Sequence, residues 1–222
     1  MNLKVNLGKD ENNRDVNVDL AKDNIHFIIL VGSTGSGKSV FHYYLYKQLI
    51  EQNNPNDLGF VFLDNTMVDF DGWNSPFVID SVMGKHDIAL NKFEELAERE
   101  DTGKDKVTII HIEEMDMLNV STPRFENALE KLLNHKNKNK IYVVFSTSRP
   151  GTDIITPKIK HLTDLMVVFI LASREDSEFI LGESLAENFS DPGERLAVFK
   201  NKRIHLKPFS VKDVEASLKY FY

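Results

Sequence analysis

The chain has 222 residues, and its 27 lysines and arginines against 34 aspartates and glutamates give a formal net charge of -7. This length predicts one domain. A hydrophobic content of 41% provides enough apolar side chains for a sizeable core, which excludes disordered and fibrous proteins. The acidic balance argues against a protein that coats nucleic acid through bulk positive charge, although a local basic patch is compatible with it.

The chain contains no cysteine, which excludes disulfides, thiolate nucleophiles and cysteine-ligated metal centres. No pair of its seven histidines has a ligand spacing such as His-x-x-x-His, so we expect no metal held by protein ligands alone. The first 23 residues lack the apolar segment of a signal peptide, and the longest apolar runs are too short to cross a bilayer. We therefore expect a soluble, cytoplasmic protein without a membrane segment.

The first 20 residues alternate weakly between apolar and polar around a polar turn, which predicts a β-hairpin within residues 1–24 that packs on the core. Strands are predicted at 25–31, 58–63, 107–112, 141–145, 165–171, 196–199 and 204–206, and helices at 38–52, 92–100, 124–134, 174–180 and 211–220. Because strands alternate with helices, we expect an α/β fold: a mostly parallel central sheet with helices on both faces, in one domain over residues 25–222.

A complete P-loop pattern, G-x-x-x-x-G-K-[ST], lies between the predicted strand at 25–31 and the helix at 38–52. Its glycines let the backbone wrap with N–H groups inward, where they and the helix N-terminus can hold phosphate oxygens. Lys38 is expected to reach the β- and γ-phosphates of ATP, and Ser39 to ligate Mg²⁺. The strand and helix context disfavours the alternative, a glycine-rich turn. The predicted nucleotide-binding residues are Gly32, Ser33, Thr34, Gly35, Ser36, Gly37, Lys38, Ser39 and Val40.

Two glutamates, Glu113 and Glu114, follow the apolar strand predicted at 107–112. In hydrolysing P-loop proteins the first such acid holds Mg²⁺ through water and the second polarises the attacking water. We therefore expect Glu113 to be a metal ligand, and Glu114 to be catalytic together with Lys38. The alternative is that Glu113, Glu114 and Asp116 begin a solvated loop or helix.

Polar residues also end the next predicted strand, at 141–145. Thr147, Ser148 and Arg149 would face the γ-phosphate and could sense its loss, linking hydrolysis to movement. For Arg149, structural pairing with a nearby carboxylate is an equal alternative.

Several ordered motifs together resemble the motor domain of FtsK/SpoIIIE DNA translocases over nearly the whole chain. The resemblance implies a RecA-like P-loop ATPase of the FtsK/HerA superfamily, which usually works as a ring, commonly a hexamer, on double-stranded DNA. The residues that carry it are Leu7 to Asp10, Asp19 to Lys22, His26, Val31 to Val40, Phe62 to Asp64, Met67 to Asp69, Glu113 and Glu114, Thr147 to Pro150, Asp153 to Thr156, Ser173, Asp176 and Ser177.

The chain also departs from the family pattern. Ser148 stands where the family has a glutamine, and Asn65 and Thr66 follow Asp64 in place of Pro-Lys. The arginines that normally contact a neighbour's nucleotide are absent, with Leu165 or Met166 at one position and Glu178 at the other. Loss of such an arginine can cost 10³-fold or more in rate. Either turnover is slow or another arginine substitutes, and the candidates are Arg149, Arg174 and Arg195.

The leading hypothesis is an Mg²⁺-dependent ATPase that translocates or packages double-stranded DNA as a homo-oligomeric ring, with a hexamer expected. Basic candidates for a DNA channel are Lys85, His86 and the segments 135–140 and 158–161. One alternative is an ATP-binding switch or assembly factor with weak or no turnover. Another is a secretion or conjugation coupling ATPase, which would act on protein.

Overall fold

The computed structural model describes residues 1–64, 66–67, 69–70, 73–84, 86–99, 105–114, 122–134, 140–200 and 202–218. The strands are β1 (Lys4–Lys9), β2 (Asp15–Asp19), β3 (Phe27–Val31), β4 (Leu58–Asp64), β5 (Val78–Met83), β6 (Val107–Glu113), β7 (Ile141–Thr147), β8 (Leu165–Val168), β9 (Arg195–Phe199) and β10 (Lys202–Leu206). The α-helices are α1 (Lys38–Gln52), α2 (His86–Glu98), α3 (Pro123–Asn134), α4 (Pro157–Leu162), α5 (Arg174–Leu181) and α6 (Val211–Leu218).

Among the residues described above, eight strands form one sheet in the order β10-β9-β8-β3-β7-β6-β4-β5. The pairs from β8 through β5 are parallel, whereas β8, β9 and β10 pair antiparallel at one edge. β1 and β2 form a separate antiparallel hairpin, joined to the sheet by a bridge between Asp10 and Leu206. β3 therefore lies between β8 and β7, so the loop that follows it emerges between the ends of two neighbouring strands.

The central strands are buried on both faces because their side chains alternate between two cores. On β3, Phe27, Ile29 and Val31 face the core beneath α2, α3, α4 and α5. Ile28 and Leu30 face the core beneath α1 and the hairpin. The same alternation on β6 directs residues 107 and 109 toward α1, so positions 111 and 113 share that face.

The α/β architecture, the mostly parallel sheet with helices on both faces and the N-terminal hairpin are confirmed. The strand predicted at 165–171 ends at Val168, because Ile170 instead accepts a hydrogen bond from the backbone of Ser33 in the P-loop. The helix predicted from residue 92 begins at residue 86. The sequence pattern misses its first turn because the apolar residues there are adjacent and show no helical spacing. In the part of the chain that the structure describes, no helix is both long and apolar enough to cross a membrane.

The sequence pattern does not predict β5 and α4. β5 is an edge strand with one hydrogen-bonding neighbour, β4, and its half-exposed sequence gives only a weak pattern. α4 has only six residues, too few for a helical repeat to stand out. Its start signals are nevertheless present: Pro157 lies in the first turn, and the Thr156 hydroxyl accepts a hydrogen bond from the backbone of Ile159.

Arg195 is fully buried where the hairpin, the segment after β10 and the region beside the P-loop meet. Its guanidinium donates to the backbone carbonyls of Leu7 at 2.7 Å, Gly193 at 2.5 Å and Lys207 at 2.9 Å. The ring of Phe209 lies 3.9 Å from the guanidinium carbon, a cation–π contact. Burial lowers the pKa of Arg195 to about 9, so the side chain is still protonated at neutral pH. Arg195 therefore ties three distant segments together.

We expect Arg195→Ala to lower the free energy of unfolding by about 3 kcal/mol or more, because three buried carbonyls lose charged donors. Arg174→Ala is the matched control: Arg174 is exposed and pairs with Glu178 at 2.7 Å on the helix surface, so its loss is expected to leave the free energy of unfolding nearly unchanged. Denaturant unfolding of both variants measures the difference. Equal losses would show that the three carbonyls find other donors.

Candidate active site

The P-loop lies between the ends of β7 and β8. The backbone N–H of Gly32 donates to Thr147 O at 3.2 Å, and that of Ser33 donates to Ile170 O at 2.8 Å. The loop is also braced from the C-terminal part of the chain, because Gly193 N donates to Ser36 O at 2.8 Å. These bonds fix the loop to three separate segments before α1 begins.

Two positions of the loop require glycine. A Cβ atom at Gly32 would lie 2.6 Å from the Cβ of Phe169. Gly37 has a φ of 106°, in the left-handed region, and a Cβ there would lie 3.0 Å from the Cα of Gly193. Sterics at these two positions therefore account for the first and last glycines of the motif.

Lys38 is buried, and its ammonium group folds back over the loop. Nζ donates to Gly32 O at 2.8 Å and lies 3.7 Å from Glu114 Oε1. Within the described residues, the buried Ser36 hydroxyl has no hydrogen-bond partner. An unsatisfied hydroxyl beside an ammonium group and a helix N-terminus fits a phosphate group.

A cluster of oxygen atoms lies at the start of α1. Ser39 Oγ donates to Asp69 Oδ2 at 3.0 Å, and Tyr43 OH donates to the backbone O of Asp69 at 2.6 Å. Burial, and then the charge of Glu113, raise the pKa of Asp69 to about 6. The carboxylate of Asp64, at the end of β4, accepts from the backbone N–H groups of the turn that carries Asp69. Hydroxyl and carboxylate oxygens are the donors that Mg²⁺ prefers, so these residues fit the predicted ion.

Sequence reasoning missed Asp69 as a site residue. It stands in a motif of the family resemblance, five residues after Asp64, but nothing in the local pattern predicts that its side chain turns back to Ser39. The signal is the position of the turn, directly after a buried strand at the C-terminal edge of the sheet, where α/β proteins bind ligands.

Glu113 ends β6 and is buried, which excludes the alternative of a solvated loop at this residue. His111 Nε2 lies 2.6 Å from Glu113 Oε2, and Tyr46 OH lies 2.5 Å from His111 Nδ1. Burial, and then the charge of Glu113, raise the pKa of Tyr46 well above its usual value, so its hydroxyl keeps its proton. Tyr46 therefore donates to Nδ1, and His111 donates from Nε2 to the carboxylate. The two bonds hold Glu113 in place.

Glu114 lies at the centre of the predicted catalytic group. Its Oε2 accepts from Ser148 N at 2.9 Å and Ser148 Oγ at 3.0 Å, while Oε1 faces Lys38. Its φ is 46°, an uncommon conformation for a residue with a side chain, and its N–H donates to Ser146 Oγ at 3.2 Å. The structure thus brings together Lys38, Glu114 and Ser148 from three elements.

The other two residues predicted to sense the γ-phosphate, Thr147 and Arg149, have surroundings different from those of Ser148. The Thr147 hydroxyl takes part in its own turn, accepting from Arg149 N at 3.1 Å and contacting Arg149 O at 3.2 Å. Arg149 is exposed just beyond β7. Arg174 is also exposed, whereas the full burial of Arg195 removes it from the candidates for a contact with a neighbouring subunit.

The basic channel candidates are only partly described. The segment 158–161 is part of α4 and not a loop; Lys158 pairs with Glu130 at 2.8 Å, and Lys160 Nζ donates to Phe179 O at 2.8 Å. Lys85, residues 135–139 and Asp116 lie outside the described residues, as does the side chain of His86.

The chain has relatives among known proteins. DNA translocase FtsK of Leptospira interrogans is 25% identical in an alignment of 225 positions, gaps included, that covers 87% of this chain and 24% of that protein. The chain thus spans about a quarter of the length of the curated relatives it matches.

Two solved structures share the fold. The pCW3 conjugation coupling protein TcpA, in its monomer form with ATPγS, superposes with a TM-score of 0.77 at 19% identity, covering 99% of this chain and 70% of that one. The genome packaging NTPase B204 of Sulfolobus turreted icosahedral virus 2 gives a TM-score of 0.62 at 17% identity, covering 84% and 98% of the two chains.

A sequence model of the FtsK/SpoIIIE family matches residues 1–208, which is nearly the whole chain. The P-loop, Glu113, Glu114 and the turn after β7 all lie within this range. This chain therefore belongs to the FtsK/SpoIIIE family.

Proposed function

We propose that this chain is an Mg²⁺-dependent ATPase motor in which Glu114 activates the attacking water. The observation that carries the proposal is the position of the Glu114 carboxylate, held on one side by Ser148 and on the other by the ammonium of Lys38. A carboxylate fixed beside the phosphate-binding lysine of a P-loop is the arrangement that water activation requires.

Lys38 changes partners when the nucleotide binds. In the structure its ammonium faces Glu114 and the carbonyl of Gly32; with ATP present, the negative oxygens of the β- and γ-phosphates compete for it. The carboxylate of Glu114 then accepts a proton from water as the water oxygen bonds to the γ-phosphorus. The bond from that phosphorus to the β,γ-bridging oxygen breaks, and ADP and inorganic phosphate are the products. Mg²⁺, held by Ser39 and through water by Glu113, would neutralise charge on the phosphates.

Ser148 connects this chemistry to β7. Its backbone N–H and hydroxyl both bind the catalytic carboxylate, so a shift of Glu114 between nucleotide states would act directly on the turn 147–149. A glutamine in the family pattern reaches further than this serine does. We infer that Ser148 positions the base, and that Arg149, exposed on the same turn, is the candidate for a contact with a neighbouring subunit.

We further propose that the motor acts on double-stranded DNA as a homo-oligomeric ring, with a hexamer as the first expectation. Support comes from family membership, from relatives named DNA translocase and from the similar fold of a protein named as a genome packaging NTPase. The net charge of -7 is compatible with this function, because a ring repeats a few channel lysines once per subunit.

One observation favours a second candidate, an ATP-binding switch with slow turnover. Leu165 and Met166, which stand where the family has an arginine, are buried in β8. Glu178, at the other such position, pairs with Arg174 of its own helix. This chain would then need Arg149 or Arg174 to complete a neighbour's site, and without that contact ATP would be held and hydrolysed slowly.

We expect Glu114→Gln to retain ATP binding and to lower kcat by about 10²- to 10⁴-fold, because the amide cannot accept the proton. Calorimetric titration with ATPγS and a phosphate-release assay measure the two properties. Glu98→Gln, on the exposed surface of α2, is the matched control. Turnover that survives in Glu114→Gln would remove Glu114 from its role. Wild-type turnover no higher than that of Glu114→Gln, with binding intact, would favour the switch.

We expect Ser148→Ala to lower kcat roughly tenfold while leaving the KM for ATP unchanged, since one hydrogen bond to the charged carboxylate is lost and the backbone bond remains. Steady-state kinetics at saturating Mg²⁺ separates the two constants. A rise in KM alone would place Ser148 in nucleotide binding instead.

We expect a ring to form in the presence of ATPγS and duplex DNA, and duplex DNA to raise the rate of ATP hydrolysis. Mass measurement in solution, with each ligand alone and with both, tests the assembly. Lys38→Ala, which loses the phosphate-binding ammonium, should not assemble. A single mass under all conditions, with a rate indifferent to DNA, would contradict the DNA motor.

A further inference from the structure

Three buried side chains that could ligate a metal meet beneath the P-loop helix. His42 lies on α1, and His111 and Glu113 lie on the facing side of β6. One ligand atom from each lies within 4.8 Å of the other two. Two imidazole nitrogens and one carboxylate oxygen suit Zn²⁺ and similar transition metals, whereas Mg²⁺ prefers oxygen alone.

His42 is the independent sign of a ligand. It is fully buried, and neither of its ring nitrogens has a hydrogen-bond partner among the described residues. Its Nδ1 lies 3.7 Å from Glu113 Oε2, too far for a hydrogen bond. A buried imidazole without partners is costly unless something else binds it.

His111 has the outer contact that ligating histidines usually show. Its Nδ1 faces the hydroxyl of Tyr46 at 2.5 Å while its Nε2 faces Glu113. If Nε2 binds a metal, its proton moves to Nδ1 and the hydroxyl of Tyr46 becomes the acceptor. The ring then stays neutral and oriented, as second-shell hydrogen bonds in metal sites require.

We propose that His42, His111 and Glu113 form a binding site for a transition-metal ion such as Zn²⁺, separate from the Mg²⁺ position at Ser39. Bonds of about 2.0–2.2 Å in a tetrahedral arrangement require the His111–Glu113 contact to open and the ring of His42 to approach. Three protein ligands leave the fourth position to water.

The site would also regulate the motor, a consequence that rests on the proposed function. Glu113 cannot bind both ions with both of its carboxylate oxygens, because Oε2 would be bound to the metal held by His42 and His111. Occupation by Zn²⁺ therefore withdraws the carboxylate from Mg²⁺ and inhibits hydrolysis.

Co²⁺ is the probe, because its visible absorption reports tetrahedral coordination by nitrogen and oxygen. The full chain, without nucleotide or DNA, is expected to bind one equivalent with this spectrum, and Zn²⁺ to displace it. His42→Phe keeps a ring among Tyr43, Tyr46 and Phe70, which surround His42, and removes the ligand. It should lower the affinity for Co²⁺ by more than about 100-fold, while Tyr46→Phe should lower it about 10- to 100-fold.

His26→Phe is the matched control, since His26 is equally buried but faces Ile141 O and Tyr142 away from Glu113; it should bind Co²⁺ as the wild type does. Circular dichroism checks the fold of each variant, and Tyr46→Phe decides the matter if His42→Phe does not fold. Absence of the spectrum in the wild type, or a spectrum unchanged by the variants, would overturn the site. Binding without inhibition of ATP hydrolysis would keep the site and remove only its regulatory role.

Discussion

Parallel pairing of β3, β4, β6 and β7 is the constraint on which the site depends. Parallel strands end at one edge of the sheet, so the residues that follow them meet although they are far apart in the chain. The P-loop follows β3, Glu114 follows β6 and Ser148 follows β7. The register places Asp64 beside Glu113. The helix α1, which begins directly after the P-loop, adds Lys38 and Ser39 to the same edge.

Because side chains alternate between the two faces along each strand, the polar groups at this edge lie on defined faces of the sheet. Residues 111 and 113 share the face of β6 that packs on α1, and on that helix positions 42 and 46 lie one turn apart. Polar side chains from both elements therefore share a space that is otherwise lined by aromatic rings, among them Phe62 and Phe70. Such a buried network is stable only when its members satisfy one another. Within the described part of the chain, Tyr46, His111 and Glu113 do so, and His42 does not.

The sequence predicts the parts of the fold and site that depend on local pattern. The sequence alone predicts the P-loop with its strand and helix, and the two glutamates, because motif and hydrophobic periodicity coincide at these places. Asp69 and His42 could not be assigned roles in this way, since their roles depend on a turn that folds back and on the facing of two elements. Arg195 is likewise excluded from contact with a neighbouring subunit only by its burial. The sequence around an isolated arginine does not reveal whether its side chain is buried. β5 escapes because its half-exposed sequence gives only a weak pattern, and α4 escapes because six residues are too few to show a helical period.

The guanidinium of Arg195 joins positions 188 residues apart, since it binds the carbonyl of Leu7. At ordinary rates of protein synthesis that separation corresponds to on the order of ten to forty seconds. Throughout that interval the hairpin has emerged without the residue that anchors it, and the P-loop without the brace from Gly193. Formation of this contact is also slow because closing so long a loop costs chain entropy. A nascent chain thus passes most of its synthesis with the motif complete in sequence and its supporting contacts still to come.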